Sequence, residues 1–188
     1  VIDTNKYSNR DLKLISMGFA NALFPHIGPY VDVPAPDVNT NSLTMDWMSE
    51  AYNQKLNTNK PCMTFTGKSL GNYGSEGREE ATGFGVHECF KWWCVKNNIN
   101  MPDTTYILQG FGNVGYYTAL HMEKSKAKLS AIADHTGYYK PADYDYIHNI
   151  DELKKFCNEY GGLQGHYSLI PISKQHFWSI NCTAIIPA

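Results

Sequence analysis

Thr104-Thr105-Tyr106-Ile107-Leu108-Gln109-Gly110-Phe111-Gly112-Asn113-Val114-Gly115 is the stretch that sets the architecture of this chain. Thr104 to Gln109 is rich in β-branched and aromatic residues and reads as a strand. The glycines follow at once, and Val114 to Glu123 then reads as a helix. Lys128 to Ala133 is a second strand, ending in Asp134. Strand, helix, strand at these lengths is the rhythm of a parallel sheet covered by helices. A glycine triplet with the spacing GxGxxG is weak alone, but between a strand and a helix, with an acid closing the next strand, it is specific. Gly110 permits the tight turn, Gly112 lets a pyrophosphate approach the backbone, and Gly115 allows close helix–strand packing. The helix start offers free N–H groups and a positive dipole end to phosphates. Asp134 lies 19 positions after Gly115, where a carboxylate accepts from the adenosine ribose hydroxyls. The same carboxylate repels a 2′-phosphate, which favours NAD over NADP, although His135, Thr136 and Lys140 nearby offset part of its charge. The fold expected is α/β, a Rossmann-like doubly wound parallel sheet.

Outward from this unit the other elements follow. Asp151 to Tyr160 is a short helix and Cys182 to Ile186 a final strand. Upstream, Glu79 to Lys96 reads as a long helix with Val86, Phe90 and Trp93 facing in. Before it, Thr66 to Arg78 is a polar loop holding Gly67, Gly71, Gly74 and Gly77, and Pro61 to Phe65 looks like a short strand. Asn41 to Tyr52 is helical, with Met45, Met48 and Tyr52 on one face. Tyr30 to Thr40 carries prolines that forbid a regular helix. Ser8 with Asp11 forms a capping box in which Asp stands for Glu. Leu12, Ile15, Phe19 and Leu23 follow at helical spacing, so Asn9 to Phe24 reads as an amphipathic helix ended by Pro25.

Composition narrows the function. Hydrophobic residues make up 43% and charged residues 18% of the 188, a globular profile. Sixteen Lys+Arg against 18 Asp+Glu give a formal charge of −2, so nucleic-acid binding has no electrostatic support. No apolar stretch approaches the length of a bilayer span, and no signal-peptide pattern opens the chain. Cys62, Cys89, Cys94, Cys157 and Cys182 show no CxxC spacing and read as reduced thiols of a cytosol-like compartment. His87, Cys89 and Cys94 share one helix without the ligand set of a metal site, and His87 and Cys94 read as a buried face. No metal is expected.

Three stretches carry a resemblance. Ile27-Gly28-Pro29-Tyr30-Val31-Asp32-Val33-Pro34-Ala35-Pro36-Asp37 is similar to the IGPxxDVPAPD segment of glutamate dehydrogenases. Thr66-Gly67-Lys68, Gly74-Ser75, Gly77-Arg78 and Glu80-Ala81-Thr82-Gly83 resemble their TGKPxxxGGSxGRxEATGxGV block. Gln109 to Gly115 resembles their cofactor loop. Order and spacing match across essentially the whole chain. Leucine, phenylalanine and valine dehydrogenases share the Rossmann half, but the DVPAPD form points to glutamate. The resemblance implies reversible oxidative deamination of L-glutamate to 2-oxoglutarate and ammonia, with hydride passing to NAD or NADP. It implies residues 1–77 as the C-terminal part of a substrate-binding (dimerisation) domain of α/β type and 78–188 as a truncated NAD(P)-binding Rossmann domain. It further implies a cytoplasmic enzyme of amino-acid metabolism (mitochondrial if eukaryotic), assembled as a homo-oligomer, hexamers being common in the family.

By motif match, Asp37 is the carboxylate that moves protons during deamination; the alternative, read from its own surroundings, is a turn residue or helix N-cap. Thr82 resembles the threonine that meets the nicotinamide carboxamide. Gly110, Phe111, Gly112, Asn113 and Val114 resemble the loop around the cofactor phosphates and ribose, Asn113 doubling as a helix N-cap. Lys68 and Arg78 match positions near the substrate cleft, and either reads equally as a solvated loop charge. Two departures stand out. Tyr73 replaces the first of the paired glycines, and since tyrosine tolerates positive φ poorly, the loop is expected to rearrange locally. The GGAKGG-like segment with its activating lysine, which precedes the matched region in the family, is absent, as are the strands that follow an IIPA-like strand. The chain therefore resembles an internal fragment, expected to be inactive by itself. The alternatives are a catalytically inactive dehydrogenase-like scaffold, or a leucine, phenylalanine or valine dehydrogenase.

Overall fold

A computed structural model describes residues 2–58 and 63–188, with Asn5 described by its backbone alone. The chain divides into two compact units, Val1–Arg78 and Glu79–Ala188. In the first, helix α1 (Asn9–Leu23) opens on the capping box expected from sequence: the Asp11 N–H donates to Ser8 Oγ (3.3 Å) and the Ser8 N–H donates to the Asp11 carboxylate (3.1 Å). Two of the four orphan amides of the helix start are satisfied in this way. Pro25 turns the chain into a single 3₁₀ turn, Phe24–His26, so α1 ends one residue before the expected Phe24. Helix α2 (Ser42–Lys55) is capped by Asn41, whose side chain accepts from the Thr44 N–H at 3.1 Å. Met45, Met48, Ala51 and Tyr52 of α2 bury themselves against Ala20, Ile27 and Phe65. The Tyr52 hydroxyl donates to the Ile27 carbonyl (3.2 Å), which keeps that buried polar tip satisfied.

Of the strand expected over Pro61 to Phe65, residues 61 and 62, and with them Cys62, lie outside the described residues; Met63 to Phe65 is irregular. Phe65 is buried in the core, and the next residue, Thr66, donates its N–H to the Pro34 carbonyl at 3.1 Å. Phe65 is buried without entering a ladder, and Met63 is exposed. Tyr73 does what its residue type resists: it takes the left-handed conformation itself (φ 65°, ψ 32°) and caps the 3₁₀ turn Leu70–Asn72.

The second unit starts along α3 (Arg78–Lys96) and continues as β1 (Thr105–Gln109), α4 (Asn113–Lys124), β2 (Lys128–Asp134), β3 (Gly137–Pro141), α5 (Ile150–Tyr160), β4 (Leu169–Ile172), α6 (Lys174–Ser179) and β5 (Ala184–Pro187). The five strands form one sheet in the order β4-β3-β2-β1-β5. β1 runs parallel to β2 and β5, while β3 is antiparallel to β2 and to β4. Central β1 is buried on both faces: Tyr106 and Leu108 pack toward Ala119, Met122 and Leu153 of α4 and α5, and Ile107 packs on Phe177 of α6. Helices therefore cover both faces, as a parallel α/β sheet requires. β3, β4 and α6 are additions to the sequence reading. On α3, Val86 and Phe90 pack inward as expected, but Trp93 is 43% exposed and stacks on Phe90. His87 and Cys94 are buried and Cys89 is exposed. No helix among the described residues is long and apolar enough to cross a membrane.

Candidate functional site

The carboxyl ends of the parallel strands are where an α/β sheet leaves a crevice. Here a cavity of about 830 Å³ opens, lined by Gln109 to Gly112, by Asp134 and His135, by one face of α5 and by Pro187 and Ala188. That volume falls in the range of small-molecule sites. The β1–α4 turn is built by its glycines. Gly110 has φ +97°, and a Cβ there would collide with the Ala188 carbonyl; a Cβ on Gly115 would collide with the Gly110 carbonyl. The Gly110 N–H donates to Ala133 (2.8 Å) and the Ala188 N–H to Gln109 (2.7 Å), so the turn is sewn to both neighbouring strands. Gly112 faces open space and is the helix N-cap without a side-chain cap bond. The amides that open α4 are thus left for an anion, where the helix dipole favours one.

The remaining loop residues divide. The Phe111 side chain is buried in the sheet–helix core, edge-on to Tyr116, so only its main chain is available to a ligand. Val114 is half-buried in the first turn of α4. Asn113 does not cap the helix: its side-chain amide donates to the Glu79 carbonyl at 2.6 Å, tying the start of α4 to the start of α3. Thr82 is exposed on α3, one residue before Gly83, whose backbone packs directly on Val114, Tyr117 and Thr118 of α4. Thr82 is carried on the turn of α3 that sits against α4.

Asp134 is engaged more heavily than its sequence position suggests. Oδ1 accepts from the Thr136 N–H (2.8 Å) and the Thr136 hydroxyl (2.5 Å), and Oδ2 accepts from the Leu163 N–H (2.8 Å). Its side chain is only 7% exposed, and the neighbouring His135 is 76% exposed with Nδ1 at 3.9 Å. Asp134 therefore fastens the β2–β3 turn to the segment after α5 while lining the cavity. An ionised carboxylate has about four acceptor positions, so three bonds leave one.

In the first unit Asp37 is exposed. Its N–H donates to Thr40 Oγ1 (2.6 Å), and the Thr40 hydroxyl and N–H donate back to its carbonyl (2.7 and 2.9 Å). The residue thus sits in a turn whose bonds are made by its backbone. Its carboxylate has no hydrogen-bond or ion-pair partner among the described residues, and the N-cap role belongs to Asn41. Gly67, with φ +69°, packs against Pro36 and against Arg78 Nε, which brings the Thr66–Lys68 turn beside the Pro36–Asp37 segment. The Lys68 ammonium donates to the Phe65 carbonyl, and the Ser69 N–H donates to Asp46 Oδ1 (3.0 Å), anchoring the turn to α2.

Helix α5 also contributes to the site, although no motif in its sequence points there. Lys154, Cys157 and Asn158 line the cavity from one face of that helix. Their spacing of three and four residues was visible, but nothing in it pointed to a ligand. Burial, with Asp134 nearby, pushes the Cys157 thiol up to about 11, so it stays protonated at neutral pH.

The arrangement has known counterparts. A family model described as glutamate/leucine/phenylalanine/valine dehydrogenase matches residues 74–188, and one for the dimerisation domain of the same enzymes matches 1–54. The NAD-specific glutamate dehydrogenase of Peptoniphilus asaccharolyticus is 36% identical over 191 residues, covering all of this chain and 45% of that protein. The NADP-specific glutamate dehydrogenase A1 of Halobacterium salinarum is 33% identical over all of this chain and 44% of its own length. Among solved structures, the hetero-hexameric glutamate dehydrogenase of Thermus thermophilus, in its Leu-bound form, superposes with a TM-score of 0.87 at 22% identity, over all of this chain and 43% of that one, a likeness of fold. The Peptoniphilus enzyme superposes with a TM-score of 0.66 at 36% identity, over 86% of this chain and 41% of its own. The chain thus spans less than half the length of these relatives. With family models matching both of its units, the chain belongs to the glutamate/leucine/phenylalanine/valine dehydrogenase family.

Proposed function

We propose that this chain is a segment of an NAD-dependent glutamate dehydrogenase, which catalyses reversible oxidative deamination of L-glutamate to 2-oxoglutarate and ammonia. The observation that carries the reading is the cavity over Gly110–Gly112, with open amides at its α4 end and Asp134 at its β2 end. That is the donor and acceptor set a dinucleotide needs: N–H groups for a pyrophosphate, and a carboxylate with one free acceptor position for a ribose hydroxyl. In this reading residues 78–188 hold the cofactor and residues 1–77 belong to the substrate side. The negative charge of Asp134 disfavours a 2′-phosphate, so NAD is preferred and NADP is the weaker cofactor. Thr82, on the α3 turn seated against α4, is assigned to the nicotinamide carboxamide.

The nicotinamide, when bound, supplies the hydride acceptor for the substrate carbon. The chain's own part in the chemistry is proton traffic. Oxidation leaves a carbon–nitrogen double bond that water must attack and ammonia must leave, and each stage needs a proton added or removed. Asp37 suits this role: its carboxylate is exposed and uncommitted, while its backbone is held in the Thr40 turn. Lys68, on the turn packed against the same segment, and Arg78, which opens α3 with its Nε beside Gly67 of that turn, are assigned to the substrate's negative end. Assembly as a hexamer, by analogy with the hetero-hexameric Thermus protein, and a cytoplasmic location complete the proposal.

The test is steady-state turnover of the protein containing this chain, with L-glutamate, L-leucine, L-phenylalanine and L-valine compared under NAD and NADP. Glutamate-dependent formation of reduced NAD, faster than with the other amino acids, is expected. A faster rate with an apolar amino acid overturns the substrate, and binding of cofactor without any turnover favours the scaffold.

A further inference from the structure

The proposed pyrophosphate site has an electrostatic gap. A dinucleotide brings two phosphate charges, whereas a helix start offers the equivalent of about half a positive charge, and Asp134 adds a negative one at the rim. Lys154 is the only lysine or arginine lining the cavity among the described residues. Its ammonium lies over the Tyr116 ring, 5.5 Å from the centroid. Tyr116 closes the first turn of α4, its N–H donating to the Gly112 carbonyl at 3.1 Å. The ring is held in turn by the Tyr116 hydroxyl, which donates to Asp151 of α5 at 2.7 Å. No carboxylate among the described residues comes within ion-pair distance of Lys154. It is a half-buried cation, leaning on an aromatic face and carried beside the helix end that carries the open amides.

The geometry points to Lys154 as a cofactor-binding residue: its ammonium bonds a phosphate oxygen of the dinucleotide and complements the α4 amides. This rests on the cofactor reading above and adds a residue from α5 to it. A flexible ammonium acts as a point charge with three donors, so it reaches a phosphate without needing the planar register of a guanidinium. Swinging from the Tyr116 ring to the phosphate exchanges a weak cation–π contact for a charge-assisted hydrogen bond. The bond between Tyr116 and Asp151 fixes the α4–α5 spacing, so Lys154 is positioned before the ligand arrives.

The experiment is calorimetric titration of NAD into the protein containing this chain at low and moderate salt, with wild type, Lys154→Gln and Lys154→Arg. A hydrogen bond between charged partners corresponds to roughly a 10- to 100-fold change in affinity. Lys154→Gln is expected to weaken NAD by about that factor and to flatten the salt dependence of binding, with Lys154→Arg recovering most of the affinity. Wild-type affinity in Lys154→Gln overturns the assignment of Lys154 while leaving the cofactor site standing. Weakening without a change in salt dependence, and without rescue by arginine, also overturns it, because Lys154 then acts only by packing. Failure of the wild type to bind NAD overturns this inference and the cofactor reading together.

Discussion

Replacing Asp134 by asparagine tests how the cofactor end of the sheet is held together. The two side chains have the same shape, but the carboxylate of Asp134 receives donors on both oxygens: Thr136 N–H and hydroxyl on one, Leu163 N–H on the other, the two backbone bonds at 2.8 Å. An asparagine presents one acceptor and one donor. If its oxygen stays on Thr136, its NH₂ faces the Leu163 N–H; if it flips, the NH₂ faces the Thr136 N–H. Either way one buried backbone donor meets another donor. An unsatisfied buried donor costs about 1–3 kcal/mol, and the surviving bonds lose their charge assistance. The sum is roughly 2–4 kcal/mol, which at a urea slope of about 2 kcal/mol/M lowers the unfolding midpoint by about 1–2 M. Urea titration gives the total, and amide exchange at Leu163 and Thr136 locates it, one of the two losing protection. A midpoint within about 0.3 M of wild type, with both amides still protected, would mean that Asp134 is a cavity residue and not a structural tie.

Asp37→Asn keeps the Thr40 turn, which uses only backbone atoms of residue 37, but removes the proton acceptor; turnover should fall by roughly 10²–10⁴ with NAD affinity unchanged, as steady-state kinetics and a binding titration would show. Burial holds the His87 and His166 imidazoles below their usual 6.5, so the unfolded chain takes up protons first; stability is full above about pH 6.5 and is lost as pH falls through the lower folded values, and His87→Gln should shrink that loss in thermal melts across pH. Tyr73→Gly relieves left-handed strain of about 1–2 kcal/mol, offset in part by the entropy of glycine, and should raise stability by roughly 0.5–1 kcal/mol in the same melts.

The parallel core was legible because its signals are local and mutually consistent. β1, the glycine turn, α4 and β2 each follow from residue type and period, and their observed bounds fall within a residue of the reading. The antiparallel half was not. β3 is Gly137-Tyr138-Tyr139-Lys140-Pro141, bracketed by the two residues that usually mark turns, and β4 carries Pro171 within four residues. β3 forms on the edge that β2 offers and β4 on the edge of β3, a tertiary cause that sequence does not display; Pro171 is tolerated on an outer strand, where its missing N–H leaves no central ladder broken. α6 has six residues, too few to show a helical period. At the site, the chemistry-bearing types were visible, but their commitments were not. Asn113 turned from a cap into a tie to Glu79, Asp134 into a three-donor anchor, and Lys154 entered from a helix that carried no motif.

The most direct measurement is a crystal structure of the protein containing this chain with NAD bound. The pyrophosphate is expected against the backbone amides of Gly112, Asn113 and Val114, the adenosine ribose beside Asp134, and Lys154 within hydrogen-bond distance of a phosphate oxygen. NAD seated away from the Gly110–Gly115 turn, or a turn whose amides remain solvated while NAD occupies another cavity, would contradict this arrangement.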